Sequence, residues 1–245
     1  MDNPYILDEN EDFAVVFKPA KIHTTAKNSE QKNEKKEKIT LVEWFKSKNK
    51  SVYDIMHRLD YETNGLVLFA KTEKSYLFFK EAQKKDKFIK EYSAMCKKKS
   101  VSEIKGFPEL PRIDLQNDKF VIESYFRPYG PGRKLVRPVI EDEKKHKETA
   151  KDRGGFYRTE IINKKGNNFI LRIKRGFRHQ IRCHLCWIGF PIVNDPLYLY
   201  SKNEVEISND KIMFLRSHAI FFPAPYGEKT LDYRIEPICE ESLSL

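Results

Sequence analysis

His57-Arg58-Leu59-Asp60-Tyr61-Glu62-Thr63-Asn64-Gly65-Leu66-Val67-Leu68-Phe69-Ala70-Lys71-Thr72 is the most informative stretch of this 245-residue chain. Two apolar-rich segments, Ile55 to Leu59 and Leu66 to Ala70, flank the polar hexapeptide DYETNG. Asn64-Gly65 can supply the positive φ angles of a tight hairpin turn, so the stretch predicts two strands joined by a short loop, with Asp60 at the loop mouth. A cation, a carboxylate and hydrogen-bonding groups gathered on a loop are the kind of set that a rigid scaffold presents for catalysis. On the residues alone, an Asp beside an Asn-Gly turn is more simply a group that bonds backbone amides, neutralised by His57 or Arg58.

Working outward, Phe13 to Phe17 is a short apolar run stopped at Lys18-Pro19, which predicts a buried strand. Residues 27–38 are almost wholly polar and predict a solvated loop. Thr40 and Glu43 have capping-box spacing, so a short helix should begin there. Past the opening stretch, residues 73–85 predict an amphipathic helix starting after Thr72, and FIKEYSAMC a strand from which Tyr92 points off one face. Residues 97–155 carry weak signals of loops and edge strands, with Lys144 to Lys151 a solvated charge run. FILRIK predicts another strand, and Arg178 to Ile188 a helix with Ile181, Leu185 and Ile188 on one face and Gly189 at its end. Short strands interleaved irregularly with few helices define an α+β domain.

Lys plus Arg number 46 and Asp plus Glu 36, a formal charge of +10 that favours a polyanionic partner. The start is acidic and lacks the pattern of a secretory signal, and no run of about 18 apolar residues occurs, so a cytoplasmic protein with no membrane partner is expected. Four cysteines in so long a chain are then thiols rather than disulfides. Arg178 and Arg182, one helical turn apart, invite phosphate or carboxylate. His179, Cys183 and Cys186 could share a helical face toward zinc, but buried core thiols explain them better, and no metal is expected. Walker, G-x-G-x-x-G and G-x-S-x-G motifs are all missing from the sequence.

Several segments in order resemble the RluA-type family of RNA pseudouridine synthases. DFAVVFKPAKIHT is similar to the family's strand and Lys-Pro entry motif, and HRLDYETNGLVLFAKT to its signature H-R-L-D-x-x-T-S-G-L-L-L-x-A-K. KEYSAMC resembles K-x-Y-x-A; GFRHQIRCHLCWIGFPIVNDPLY resembles G-R-T-H-Q-I-R-V-H-L…G-x-P-I-x-G-D-x-x-Y; LRSHAIFFPAP resembles the late L-x-x-H-A segment that ends in proline.

The resemblance implies a mixed, mostly antiparallel sheet flanked by helices around a central RNA-binding cleft, in one catalytic domain over residues 1–245 without an N-terminal S4 domain. It implies isomerisation of uridine to pseudouridine in ribosomal or transfer RNA, without cofactor; a monomer is expected. The family's aspartate falls on Asp60 and its tyrosine on Tyr92. Phe177 stands where the family has its arginine, so Arg178, one position later, is expected as the third catalytic residue. His57, Arg58, Thr63, Asn64, His179, Gln180 and Arg182 are expected to touch RNA, with Arg182 facing phosphate. The alternative is a non-catalytic RNA-binding or ribosome-assembly protein on the same scaffold, which a turnover assay would distinguish.

Overall fold

A computed structural model describes residues 3–26, 39–48, 50–99, 106–110, 112–140, 156–198, 211–227 and 229–238. The expected solvated runs at 27–38 and 144–151, and Cys239, lie outside the described residues. The chain divides into two compact units: residues 1–89 with 217–236, and residues 90–216 with 237–245.

In the first unit the strands are β1 (Tyr5–Glu9), β2 (Phe13–Lys18), β3 (Asp54–Ile55), β4 (Asn64–Ala70), β10 (Leu215–Pro223, within the unit from Ser217) and β11 (Thr230–Arg234). They run in the order β1-β2-β4-β10, with β3 beside β4 and β11 beside β10. Strands β2 and β4 are buried along their whole length, as continuous apolar runs require. Phe13, Val15, Leu66, Leu68, Phe79, Ile220 and Phe222 form the core. Both helices begin at the caps legible in the sequence. Thr40 and Glu43 close a reciprocal box on α1 (Leu41–Ser47), and Thr72 accepts from the Ser75 amide to start α2 (Glu73–Lys84).

One expectation fails here. Asn64-Gly65 is not a hairpin turn but the start of β4; β3 spans two residues, and Asp60 to Thr63 make the turn, with the Thr63 amide donating to Asp60 O at 3.1 Å. Gly65 is needed for a different reason. Its φ is +127°, and a Cβ there would lie 2.3 Å from the carbonyl oxygen of Ser217 on the facing strand.

The second unit orders its strands β5-β9-β8-β6-β7. They are β5 (Ile89–Met95, in this unit from Lys90), β6 (Phe120–Tyr129), β7 (Leu135–Val139), β8 (Tyr157–Lys165) and β9 (Asn168–Ile173). Helix α3 (Gln180–Trp187) is buried on every side, so it is a core helix rather than an amphipathic one. Gly189, with φ +82°, caps it as expected, its amide bonded to Cys186 O. The poorly patterned region turned out to hold the β6–β7 hairpin, closed through Gly130, Pro131 and Gly132. Every pairing of known register in both units is antiparallel, and the α+β class is as expected. No helix among the described residues is long and apolar enough to cross a membrane.

Candidate active site

Asp60 belongs to the first unit, Tyr92 and Arg178 to the second. Asp60 is partly exposed on the turn that follows Leu59. The segment after β2 clamps this loop. Thr24 donates its hydroxyl to Leu59 O at 2.9 Å and accepts from the Leu59 amide at 3.2 Å. The Lys21 amide donates to Tyr61 O at 2.8 Å, Lys21 pairs with Glu62 at 2.8 Å, and His23 lies against the Tyr61 ring. A catalytic loop fastened on both sides of its aspartate can hold that group in place.

Lys18 ends β2 with its side chain wholly buried, its Nζ donating to the carbonyls of Pro19 and Ile22 at 2.9 Å each. Burial pushes its ammonium down to about 7, while the charges of Asp60 and Glu62 pull the other way. A buried lysine that feels the charges of Asp60 and Glu62 is a candidate functional residue, which the apolar pattern around it does not announce. Its residue pattern reads as the end of an apolar strand before proline, and the resemblance places it in the family's Lys-Pro motif.

His57 is half-buried, its Nε2 taking the Leu68 amide at 3.3 Å, and Arg58 is exposed. Thr63 and Asn64 are buried in the structure.

In the second unit, Tyr92 is buried on β5, opposite Leu171 of β9. Phe177, in the place of the family's arginine, stacks on Phe126 with centroids 5.2 Å apart and packs on Tyr157. An aromatic ring suits that apolar pocket, where a guanidinium would lose water without a partner. Arg178 is exposed and donates from Nη2 to the carbonyls of Arg133 and Leu135, at 2.8 and 3.1 Å, bracing the β6–β7 turn. His179 takes a left-handed conformation, φ 57°, at the start of α3, and its Nδ1 lies 3.4 Å from the Tyr198 hydroxyl.

Two further expected RNA contacts, Gln180 and Arg182, are buried and engaged within the second unit. Gln180 is 2% exposed, with its amide used inside the unit: Oε1 accepts from the Phe177 amide, and Nε2 donates to Arg158 O and Thr159 Oγ1. Arg182 is equally buried and holds Asp195 through both Nε and Nη2, so it does not share a phosphate-facing stripe with Arg178. Helical spacing could not show this, because it assumed the helix ran through Arg178, two residues before it starts.

The thiols are structural. Cys183 donates to Val136 O and Cys186 to Tyr198 O; burial raises both, Cys186 to about 12, which keeps them protonated and poor metal ligands. Among the described residues no group of three or more His, Cys, Asp or Glu could hold a metal ion.

A family model described as RNA pseudouridylate synthase matches residues 12–187. An uncharacterized RNA pseudouridine synthase of Helicobacter pylori strain J99 is 26% identical over 253 residues, covering 97% of this chain and 67% of that protein. The ribosomal large subunit pseudouridine synthase D of Buchnera aphidicola is 30% identical over 151 residues, covering 59% of this chain and 38% of its own. The chain thus spans about two thirds or less of the length of these curated relatives. The solved structure of human RNA pseudouridylate synthase domain containing 1 is similar in fold, with a TM-score of 0.65 at 17% identity, over 96% of this chain and 83% of that one. The chain belongs to the RNA pseudouridine synthase family, whose reaction is an isomerisation.

Proposed function

We propose that this chain converts uridine to pseudouridine in structured RNA, with Asp60 as the catalytic carboxylate. The observation that carries the reading is Asp60 itself: a partly exposed carboxylate on a clamped loop, within the charge field of a buried lysine. Such a group can act as nucleophile or base on the glycosidic carbon, which the isomerisation requires. Tyr92 is assigned to stack on the base and assist proton removal at carbon 5, and Arg178 to the family's arginine role. His57, Arg58 and His179 are assigned to RNA contact. The target base must be flipped out or looped before any of them can reach it.

Ribosomal RNA is the substrate we favour over transfer RNA, because a relative at 30% identity is named for the large ribosomal subunit. A net charge of +10 supports contact with several phosphates and predicts affinity that falls with added salt. We infer a monomer acting in the cytoplasm without a cofactor. The test is to incubate the purified chain with ribosomal and transfer RNA transcripts and map pseudouridine base by base. New sites in ribosomal RNA support the reading; binding without any new pseudouridine supports the non-catalytic alternative.

A further inference from the structure

Next to Asp60 on the same turn stands an aromatic side chain. Tyr61 is partly exposed, and its ring lies 4.7 Å from the equally part-exposed ring of His23, tilted by 40°. The backbone beneath the pair is held from two sides. The Lys21 amide donates to Tyr61 O at 2.8 Å, and Lys21, kept in a left-handed conformation with φ 66°, closes an ion pair on Glu62 at 2.8 Å. Beyond, the His23 and Thr24 carbonyls accept the Leu41 and Val42 amides, at 2.9 and 3.2 Å, which ties the segment to the first turn of α1. These backbone bonds, the Thr24 hydroxyl and the Lys21–Glu62 pair already fasten the Asp60 loop. What the two rings add is a flat, partly wetted aromatic surface one residue from the carboxylate.

We propose that the His23–Tyr61 pair is a stacking platform for the nucleobase next to the target uridine. The inference rests on the assignment of Asp60 made above. Asp60 can reach a glycosidic carbon only once the target base has left its stack, and the neighbouring base then loses a partner on one face. Consecutive residues lie about 3.8 Å apart and stacked bases about 3.4 Å, so a ring on the residue after Asp60 is within reach of that neighbour. An aromatic ring there replaces the broken stack, and because its backbone is fixed beforehand, little ordering is left to the moment of binding. Stacking accepts any base, so the platform positions the strand without reading its sequence. The signature H-R-L-D-x-x-T leaves position 61 open, so the pair is a feature of this chain.

Two measurements test this, and neither needs turnover. In the first, the wild-type chain is bound to a strand of about ten 5-iodouridine nucleotides, irradiated, digested and mapped by mass spectrometry. A 5-iodouracil stacked on an aromatic ring cross-links to it, so adducts should fall on Tyr61 or His23. In the second, a strand of about ten nucleotides alternating uridine with 2-aminopurine riboside reports stacking by loss of fluorescence, every uridine having a reporter beside it. The wild type should quench it. Tyr61→Leu, melting within a few degrees of wild type, should lose half or more of the quench per bound strand and bind about tenfold more weakly, while Tyr61→Phe, which keeps the ring, should restore both.

Adducts that fall only on other residues overturn the proposal, as does a folded Tyr61→Leu protein whose quench per bound strand matches wild type. A ring pair that merely braced the loop would give that second result, with a lowered melt and an unchanged quench. Should Tyr61→Leu fail to fold, the cross-link to the wild-type chain decides alone. A wild-type chain without turnover would instead sink the proposed function, with the stacking on Tyr61 still read by both measurements.

Discussion

Arg182 and Asp195 form a two-pronged ion pair inside the second unit, Nε to Oδ2 and Nη2 to Oδ1 at 2.7 Å each, with side chains 2% and 0% exposed. The Asp195 carboxylate also accepts the Leu197 and Tyr198 amides, and the guanidinium lies over the Tyr198 ring. The pair ties α3 to the turn that follows it. A buried pair left with one partner is costly, so Arg182→Met should lower stability by about 3–5 kcal/mol. Arg182→Lys keeps the charge but loses one charged hydrogen bond, about 1.5–3 kcal/mol. Urea melts of the two variants check this; wild-type stability in both would mean the pair contributes nothing net.

Gly65→Ala should destabilise the first unit by about 3 kcal/mol or more, because the new methyl meets the Ser217 backbone at 2.3 Å and the φ of +127° is foreign to alanine. Asp60 stands five residues earlier on the same turn and strand, so turnover should fall with the melt. A variant as stable and as active as wild type would contradict the close approach of these strands.

His184 makes the folded protein sensitive to acid. Its ring is buried between the Ser124 and Thr159 hydroxyls, at 3.0 and 2.8 Å, and burial pushes its pKa down from 6.5 to about 3. Below about 6.5 the unfolded chain takes up a proton that the folded unit refuses until about 3. Stability from this group is therefore present above 6.5 and lost as pH falls across that window. Melting temperatures from pH 7 to 4 should fall less steeply in His184→Gln than in wild type. Parallel slopes would place the acid sensitivity on other groups.

Arg178, proposed above for the family's arginine role, lets chemistry be tested apart from RNA contact. Arg178→Lys keeps the charge on an exposed side chain, so the melt should stay within a few degrees and RNA affinity within about threefold, while turnover drops about tenfold or more. Equal loss of affinity and turnover would make Arg178 an RNA contact instead.

The parts of the fold legible in the sequence were those with local causes. Thr40 with Glu43, Thr72 and Gly189 announce helix ends through bonds made within a few residues, and all three were read correctly. The α+β class followed from the spacing of apolar runs. What stayed hidden depends on partners distant in sequence. Gly65 looked like a turn glycine because Ser217, 152 residues away, could not be seen beside it. Arg182 looked like a phosphate ligand because its Asp195 partner lies beyond the helix, and Lys18 like a strand end because the loop that carries Asp60 comes 42 residues later. Asp60 itself is singled out only by resemblance; its local chemistry alone points to an ordinary turn.

The most direct measurement is pseudouridine formation by purified wild-type and Asp60→Asn protein on the same structured ribosomal RNA, with RNA binding measured alongside. The substitution keeps the shape of the side chain and removes its charge. The account predicts a folded variant that binds RNA within about threefold of wild type and forms no pseudouridine above background over many wild-type turnovers. Substantial turnover by pure Asp60→Asn protein would contradict it, whatever family the chain belongs to.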